Sequence, residues 1–281
     1  MSARFKVQGA RIKIGQCFPL DHGPCTLHPD IPYTDKIHYV LIMVIEESRL
    51  NDGVLVIDKP VGPTSHDVVQ IVKRTIGARK VGHLGTLDPA ATGVLPLVIN
   101  NATKHAEALK GGDKVYTFTL VLGTQTATDD DAGEVIATHP VMPSHREMLP
   151  PLIAEFIGES DQMPPSYSAR SVGGVRLYKL ARDGVVPEVT PRRICIHELA
   201  IEREDGLRIS LRMRATAGTY VRALCRDIGA RLGCGGHASG IRRLQSGRFT
   251  LAQAVKLEEV GARGLQAMIP LEVLVGNEVV S

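Results

Sequence analysis

The stretch GHLGTLDPAATGVL, at residues 82–95, constrains the fold of this chain more than any other part of the sequence. Its first two glycines allow backbone angles that other residues rarely adopt. Pro89 biases Asp88 away from a helix and stiffens the turn, and an apolar strand is predicted to begin at Gly93. The pattern therefore predicts a rigid loop that holds one acidic side chain against a buried strand, a common position for functional groups. The open alternative is an aspartate that only closes its own turn.

Strand patterns occur along most of the chain. Val54–Ile57 and Val94–Ile99 are short apolar runs, which predict buried strands. Val115–Leu122 is rich in β-branched and aromatic residues, which favour strands. Ile194–Arg203 and Leu207–Ala217 alternate between apolar and polar residues around a short polar turn, so we predict that they pair as a hairpin.

Helix signals lie between these strands. Ser65 is the predicted N-cap of a helix that runs to Ile76. Ser144 and Glu147 have the spacing of a capping box and predict a second helix, and Tyr220–Leu232 predicts a third. Because strands and helices mix without a regular βαβ alternation, the sequence predicts an α+β fold with a largely antiparallel sheet.

Positive charge is concentrated in one region rather than spread over the chain. The formal net charge is only +3, but between Arg203 and Arg248 there are ten arginines, no lysine and three acidic residues. A guanidinium group can bind a phosphate with two donors at once, so this surplus suits contact with a nucleic-acid backbone. On charge alone, a solvated surface with a few ion pairs is an equal alternative.

Cysteine spacing and hydropathy argue against several classes of protein. The five cysteines include no CxxC pair, which disfavours a zinc site or a disulfide framework. No stretch reaches the roughly 18 apolar residues of a membrane span, and the N-terminus lacks a signal-peptide pattern. The sequence also lacks a nucleotide-binding loop and a cluster of metal ligands. We therefore expect a cytoplasmic protein that uses no membrane, metal or cofactor.

The stretch at residues 82–95 resembles the catalytic motif of the TruB family of pseudouridine synthases, GHxGxLDPxATGxL. A long ungapped match of this kind is far more specific than a lone glycine-rich loop. Other segments also resemble the family, in the same order, over about residues 50–250. In the first half these are GVLVIDKP from Gly53 with Gly62, Thr64 and Ser65, then Tyr116, and TDDDAG from Thr128. In the second half they are QMPPSYSA from Gln162 with Gly174 and Tyr178, GTYVR from Gly218, CGGH from Cys234, and Arg242–Arg243–Leu244. The resemblance implies the pseudouridine synthase fold, an α+β fold with a mixed, largely antiparallel central sheet and flanking helices.

The resemblance also implies the residues of a catalytic centre. Asp88 falls at the family's nucleophile, Tyr116 at its active-site tyrosine and Arg222 at its active-site arginine. A carboxylate next to an RNA base needs a nearby cation to remain ionised, and Arg222 is our candidate for that cation. From the residues alone, Tyr116 could equally be a core tyrosine, and Arg222 one more phosphate-binding arginine.

Further residues are expected to contact substrate or RNA. His83 resembles the family residue that stacks in the gap left by a flipped base, and Tyr220 is expected in the same pocket as Tyr116. Structural roles are the alternatives for both. Lys59 is expected to support the loop or to bind a phosphate. Ile241, where the family often has Leu, and Arg242 complete the expected RNA contacts.

Three segments are expected along the chain. Residues 1–45 mix Pro, His, Cys and Gly without helical or strand periodicity, which predicts a flexible extension; alternatively, translation begins near Met43. Residues 46–250 are the expected catalytic domain. Residues 251–281 are expected to be a C-terminal segment too short for the complete PUA domain that many family members carry.

The reaction implied by the resemblance is the isomerisation of uridine to pseudouridine at position 55 in the T-loop of tRNA. The target base must be flipped out of the folded RNA to reach Asp88. The implied partner is the T stem-loop of tRNA, with no obligate protein partner and a monomeric enzyme. The open alternatives are a pseudouridine synthase for another RNA, an RNA-binding or RNA-folding module, and a metal-dependent hydrolase built on the Asp129–Asp131 run.

Overall fold

The computed structural model describes residues 52–165 and 190–275, together with the backbone of four short strands outside these ranges. Contacts divide the chain into two units, residues 1–49 and residues 50–281. In the first unit, β1 (Arg4–Val7) and β2 (Ala10–Lys13) form an antiparallel hairpin. Both strands lie within residues 1–45, where the sequence shows no strand periodicity and predicts a flexible extension; that assignment of the segment stays a prediction.

The second unit is built around an eleven-stranded sheet. Its strands and those of two small hairpins are β3 (Gly53–Lys59), β4 (Val81–His83), β5 (Thr92–Ile99), β6 (Lys114–Leu122), β7 (Thr124–Thr126), β8 (Val135–Thr138), β9 (Gly158–Gln162), β10 (Ser171–Val172), β11 (Val175–Arg176), β12 (Arg192–Asp205), β13 (Arg208–Ala215), β14 (Gly236–Ser246), β15 (Phe249–Thr250), β16 (Val255–Lys256) and β17 (Ile269–Pro270). The hairpins β7–β8 and β10–β11 lie outside the large sheet.

The large sheet is mixed and mostly antiparallel. Its main path runs β16-β3-β5-β14-β6-β13-β12-β9, with β17 added to β3, β4 to β5 and β15 to β14. Only the pairs β14–β5 and β16–β3 are parallel among the described strands. The predicted hairpin is confirmed, because β12 and β13 pair antiparallel from Ile196 opposite Ala215 to Asp205 opposite Arg208. The predicted α+β fold with a largely antiparallel sheet is confirmed as well.

Both faces of the sheet are covered at β3 and β5. Leu55 and Ile57 of β3 belong to the larger hydrophobic core, while Val54 and Val56 belong to a smaller core. Successive strand residues point to opposite faces, so a strand buried on both sides is apolar throughout. This explains why the two apolar runs of the sequence correctly predicted buried strands.

Six α-helices are described in the second unit. They are α1 (Ser65–Thr75), α2 (Ala106–Leu109), α3 (Pro143–Glu155), α4 (Val221–Leu232), α5 (Val260–Arg263) and α6 (Leu271–Val275), and short 3₁₀ helices cover Asn100–His105, Leu251–Gln253 and Leu257–Glu259. Within the described residues, no helix combines the length and the apolar character needed to span a membrane. Side chains of α1, α3 and α4 fill the larger core against the sheet.

The N-cap predictions for two helices are wrong by one or two residues. Thr64, not Ser65, caps α1: its hydroxyl accepts from the backbone N–H of Asp67 at 3.1 Å, and the Asp67 carboxylate accepts from the backbone N–H of Thr64 at 2.9 Å. The Thr64 hydroxyl, which donates to the Asp67 carboxylate at 2.7 Å, and the Thr64 backbone N–H together lower the pKa of Asp67 below its ordinary value. In α3, Ser144 lies inside the helix, whose N-cap is Met142.

Replacing Thr64 with alanine is expected to lower the free energy of unfolding by about 1 kcal/mol, because the cap of α1 is lost. Thr75→Ala, which removes an exposed hydroxyl at the other end of the same helix, is the matched control and should cost less. Urea unfolding of the two variants measures the difference. Equal stability of both variants would contradict the assigned cap.

Helix α4 follows the prediction closely. Tyr220 is its N-cap and Gly233 its C-cap, with a φ angle of 81° at Gly233. Only glycine adopts this left-handed conformation without strain, which explains why the helix ends there. Its buried first turn includes Val221 and Arg222, so the helix start sets the position of Arg222.

Candidate active site

The loop that carries Asp88 occupies residues 84–91, between β4 and β5. The first residues of the predicted loop belong to β4 and the last to β5, so the loop is shorter than the sequence analysis expected. Gly93 lets β5 pass close to β14, because a Cβ there would lie 2.2 Å from the carbonyl oxygen of Arg243. The loop is therefore fixed to the centre of the sheet at its C-terminal end.

A buried arginine holds the loop along its length. Arg243 is 2% exposed, and its guanidinium donates to the carbonyls of Val94 at 2.7 Å, Gly85 at 3.1 Å and Thr86 at 3.3 Å. A buried cation needs such partners to offset its desolvation. Arg243 thus links β14 to the loop and to the start of β5.

The hydroxyl of Ser65 holds the residue next to Asp88. Its Oγ accepts from the backbone N–H of Leu87 at 2.8 Å and donates to the carbonyl of Leu87 at 2.9 Å. Ser65 is buried at the start of α1. One side chain therefore satisfies both backbone groups of Leu87 and fixes the backbone that leads into Asp88.

Replacing Ser65 with alanine is expected to cost about 2 kcal/mol of stability, because two buried backbone groups of Leu87 lose their partner. Turnover should also fall about tenfold, since the loop that orients Asp88 is loosened. Ser144→Ala, at an exposed position of α3, is the control. Denaturant unfolding and initial rates measure the two effects, and a Ser65→Ala variant as stable and active as the control would refute this role.

Lys59 supports the loop from within the protein. It is fully buried, and its Nζ donates to the carbonyls of Pro60 at 2.8 Å, Pro89 at 3.2 Å and Ala91 at 2.7 Å. Burial lowers the pKa of Lys59 to about 8, and the nearby charge of Asp88 opposes part of that effect. Of the two roles considered for Lys59, loop support fits this position, whereas an RNA phosphate has no access to it.

Asp88 and Arg222 form the central ion pair of the site. Oδ2 of Asp88 lies 2.9 Å from Nη2 of Arg222, and the side chain of Asp88 is 40% exposed while that of Arg222 is 5% exposed. Arg222 also donates to the carbonyl of Thr128 at 2.8 Å, and its Nε lies 3.6 Å from Oδ2 of buried Asp130. The arginine is thus fixed from several sides, and the carboxylate of Asp88 is held with part of its surface open.

The acidic loop after β7 sends its three aspartates to three different side chains, two arginines and a histidine. Asp130 pairs with Arg222, Asp129 with Arg226 at 3.1 Å, and Asp131 with His237 at 3.3 Å. Burial raises the pKa of Asp129, and the charges of the two arginines oppose this. Because the three carboxylates diverge, they do not form one set of metal ligands, which disfavours the hydrolase alternative.

Asp88 faces a cavity of about 790 Å³. Of the predicted site residues, Tyr116, Tyr220, Arg222 and Ile241 line it together with Asp88. Tyr116 is 9% exposed on β6 and also contacts the larger core, so its position fits both interpretations and its catalytic role stays a prediction. The remaining lining residues are Leu84, Gly85, Thr86, Leu87, Ala91, Lys110, Lys114, Pro191, Arg192, Arg193, Ala217, Gly218, Thr219, Val221 and Arg243.

Tyr220 is oriented by a side chain from a neighbouring strand. The amide of Gln162 accepts from the backbone N–H of Tyr220 at 2.8 Å and donates to its carbonyl at 3.1 Å. Gln162 begins the QMPPSYSA segment, which gives that segment a role in placing the cavity wall. The segment from Ser166 onward, including Gly174 and Tyr178, lies outside the described residues.

Two predicted RNA contacts lie at the edge of the site. Arg242 is paired with Asp58 at 2.8 Å and is 38% exposed, so part of its charge is already balanced within the protein. His83 is the last residue of β4, opposite Leu97 of β5, and is partly buried. The cavity lining begins at Leu84, the next residue. Their roles toward RNA stay predictions.

Arg243, Ser65 and Gln162 hold parts of the site in place but were not among the predicted site residues. Each acts through contacts with residues far away in the chain, such as Gly85 for Arg243. All three stand in segments that resembled the family, and this was the only signal that could have found them. Arg242 and Arg243 are adjacent on β14 and differ only in the face they occupy.

Comparison with known proteins gives a family for the chain. Residues 73–221 match the model of the TruB family pseudouridylate synthase N-terminal domain, and residues 222–269 match that of the tRNA pseudouridylate synthase B C-terminal domain. The tRNA pseudouridine synthase B of Azoarcus sp. (strain BH72) is 46% identical over 214 residues, which are 76% of this chain and 71% of that protein. The protein of the same name from Syntrophotalea carbinolica is 44% identical over 74% of this chain and 68% of its own.

Solved structures agree with the fold. A chain in the crystal structure of a Cbf5-Nop10-Gar1 complex is 29% identical, with a TM-score of 0.63, over 82% of this chain and 63% of that chain. A chain in an H/ACA RNP bound to a substrate RNA is also 29% identical, with a TM-score of 0.57, over 77% of this chain and 54% of its own. This chain thus spans less than two thirds of either solved chain. The family resemblance stated from the sequence is confirmed, and the chain belongs to the TruB family of pseudouridine synthases.

Proposed function

We propose that this protein converts uridine to pseudouridine at position 55 in the T-loop of tRNA, with Asp88 as the nucleophile. The observation that carries the proposal is the Asp88–Arg222 pair, with its 2.9 Å contact, at the wall of a large cavity. The substrate follows from the names of the curated relatives, tRNA pseudouridine synthase B. Position 55 follows from the family resemblance of the loop around Asp88.

The reaction places specific demands on the carboxylate. The N-glycosidic bond of the uridine breaks, the uracil turns over, and C5 joins C1′ with loss of the C5 proton. Asp88 must be ionised to attack, and Arg222 stabilises its negative charge when the RNA base displaces water. Because Asp130 and Thr128 also hold Arg222, the arginine keeps its position while Asp88 reacts.

The cavity fits a nucleotide that has left its stack. Its volume of about 790 Å³ is within the ~300–1,000 Å³ typical of ligand pockets. Tyr116 on the cavity wall is our candidate for stacking beneath the uracil and for assisting removal of the C5 proton. Tyr220 and Ile241 supply further apolar surface for the base.

A domain assignment accompanies this proposal. We assign the catalytic domain to residues 46–250 and treat residues 251–281 as a C-terminal segment, whose described residues 251–275 pack onto that domain. Two strands of that segment, β16 and β17, pair with β3, so they contribute to the sheet that carries the Asp88 loop. We further propose that the enzyme acts on tRNA as a monomer, without a protein partner.

Mapping the modified position tests the proposal. Unmodified tRNA transcript is incubated with the protein, treated with a carbodiimide that marks pseudouridine, and read by primer extension. We expect one stop that reports U55 and none on a transcript carrying C at that position. A stop elsewhere in tRNA, or modification only of another RNA, would overturn the assignment of the substrate while keeping the isomerase.

A further inference from the structure

The candidate active site contains a second buried lysine, Lys114, whose surroundings differ from those of Lys59. Lys59 donates to three carbonyls, which uses every N–H of its ammonium group. Lys114 is only 6% exposed, yet within the described residues its Nζ has one hydrogen bond, to the carbonyl of Lys110 at 3.2 Å. A buried ammonium group with unused donors is costly unless a ligand completes it.

The position of Lys114 links it to the proposed reaction. It begins β6 and lies two residues before Tyr116, so both side chains belong to the same face of the strand. Lys114 lines the same cavity as Asp88 and Tyr116. A molecule that fills the cavity therefore contacts Lys114.

Nearby carboxylates do not balance the charge of Lys114. The adjacent Asp113 is paired with Arg214 at 2.8 Å and with His197 at 3.3 Å. Arg243, across the strand pair β6–β14, has carbonyl partners only, among the described residues. Burial, which is the largest cause, lowers the pKa of Lys114 to about 8. The positive charges of Arg243 and Lys110 also lower this pKa, and the negative charge of Asp113 raises it. This wall of the cavity thus carries a positive charge that suits an anion.

We propose that Lys114 binds a backbone phosphate of the RNA next to the flipped nucleotide, with Lys110 at the cavity mouth assisting. This rests on the proposed function, since the anion arrives with the substrate. RNA phosphates enter any site that accepts a flipped nucleotide, and an ammonium group is a strong phosphate partner. Lys114 then positions the nucleotide over Asp88, and Lys59 has a purely structural role.

Salt dependence of binding tests the proposal. The affinity of the Asp88→Asn protein for T-arm RNA is measured, because this protein binds without turnover. The measurement is repeated with three double variants, which combine Asp88→Asn with Lys114→Gln, Lys114→Arg or Lys256→Gln. Lys114→Gln should bind roughly ten- to hundredfold more weakly. The slope of log K against log salt should become shallower by about 0.7–0.9. Lys114→Arg should keep the slope, as should Lys256→Gln, which removes an exposed charge on β16.

The pH dependence of binding provides a second readout. A phosphate raises the pKa of Lys114 in the complex above its value of about 8 in the free protein. Binding therefore takes up a proton above pH 8, and affinity should fall as pH rises from about 8 to 9 but stay constant below 8. Lys114→Arg should remove this decrease, because arginine stays charged. A decrease of equal size in both proteins would show that another group titrates.

Stability separates binding from a structural role. Lys114→Met should leave the unfolding midpoint unchanged or raise it, because a partly satisfied buried charge is removed. A large destabilisation by Lys114→Met, or an unchanged salt slope in Lys114→Gln, would overturn the proposal even if the wild-type protein modifies tRNA. A Lys114-dependent slope without any turnover by the wild type would keep the phosphate site and refute the proposed reaction. Failure of the RNA to bind at all would overturn both.

Discussion

Asp88→Asn is expected to reduce pseudouridine formation by about four orders of magnitude or more, while RNA binding and the unfolding midpoint stay near those of the wild type. Asparagine has nearly the same shape but is not a nucleophile, so the chemical step is lost. The stability should change little, because the side chain of Asp88 is 40% exposed and the buried Arg222 keeps Asp130 and the carbonyl of Thr128 as partners. Single-turnover kinetics, filter binding and thermal unfolding measure the three quantities.

A surface aspartate provides the control for this substitution. Asp205 is 73% exposed and lies 3.6 Å from Arg203 at the tip of the β12–β13 hairpin, away from the cavity. Asp205→Asn should leave turnover, binding and stability unchanged. If Asp88→Asn kept more than a few per cent of the wild-type rate, Asp88 would not be the nucleophile.

Arg222→Met is expected to cost about 3–5 kcal/mol of stability in addition to turnover. The substitution leaves Asp130 buried without its cation, and breaking a buried ion pair from one side is strongly destabilising. Asp130 is 10% exposed and Arg222 5% exposed, with 3.6 Å between them. Denaturant unfolding measures the loss, and Arg231→Met, at a half-exposed arginine of the same helix α4 paired with Glu155, should cost less than about 1 kcal/mol.

The double variant Arg222→Met/Asp130→Asn separates folding from catalysis. Removing the second charge should restore part of the lost stability, because no uncompensated carboxylate remains. Turnover should not return, because Asp88 still lacks its cation. If the double variant recovered activity together with stability, Arg222 would have only a structural role.

Local patterns predicted five of the eleven strands of the large sheet (β3, β5, β6, β12 and β13) and its three longest helices, but not β14 between β5 and β6. The strands at Val54–Ile57 and Val94–Ile99 and the helix from Tyr220 to Leu232 follow from apolar runs, periodicity and a terminal glycine, which are properties of neighbouring residues. The N-cap of α1 was predicted at Ser65 rather than Thr64. Both residues carry the hydroxyl that an N-cap needs, so the local sequence does not distinguish them. What decides between them is Leu87, which binds the Ser65 hydroxyl from 22 residues away.

In the candidate site, the sequence predicted the nucleophile and its cation, but not the roles of the other buried cations. The resemblance of GTYVR to the family motif selected Arg222 among ten arginines, and the need of an ionised nucleophile for a nearby cation paired it with Asp88. The roles of Arg243 and Lys114 could not be inferred in the same way, because burial decides them and burial depends on the whole sheet. Arg242 and Arg243 are neighbours in sequence, yet their surroundings differ. The side chain of Arg242 is 38% exposed and pairs with Asp58, whereas Arg243 is 2% exposed and lies under the loop that carries Asp88.

The most direct test of the central claim is tritium release from tRNA labelled at uridine C5, because bond formation at C5 expels that hydrogen to solvent. The account predicts that the wild-type protein releases one equivalent of tritium per tRNA labelled at position 55, and that the Asp88→Ala variant releases none while still binding the RNA. Release of tritium by the Asp88→Ala variant at the wild-type rate would contradict the account.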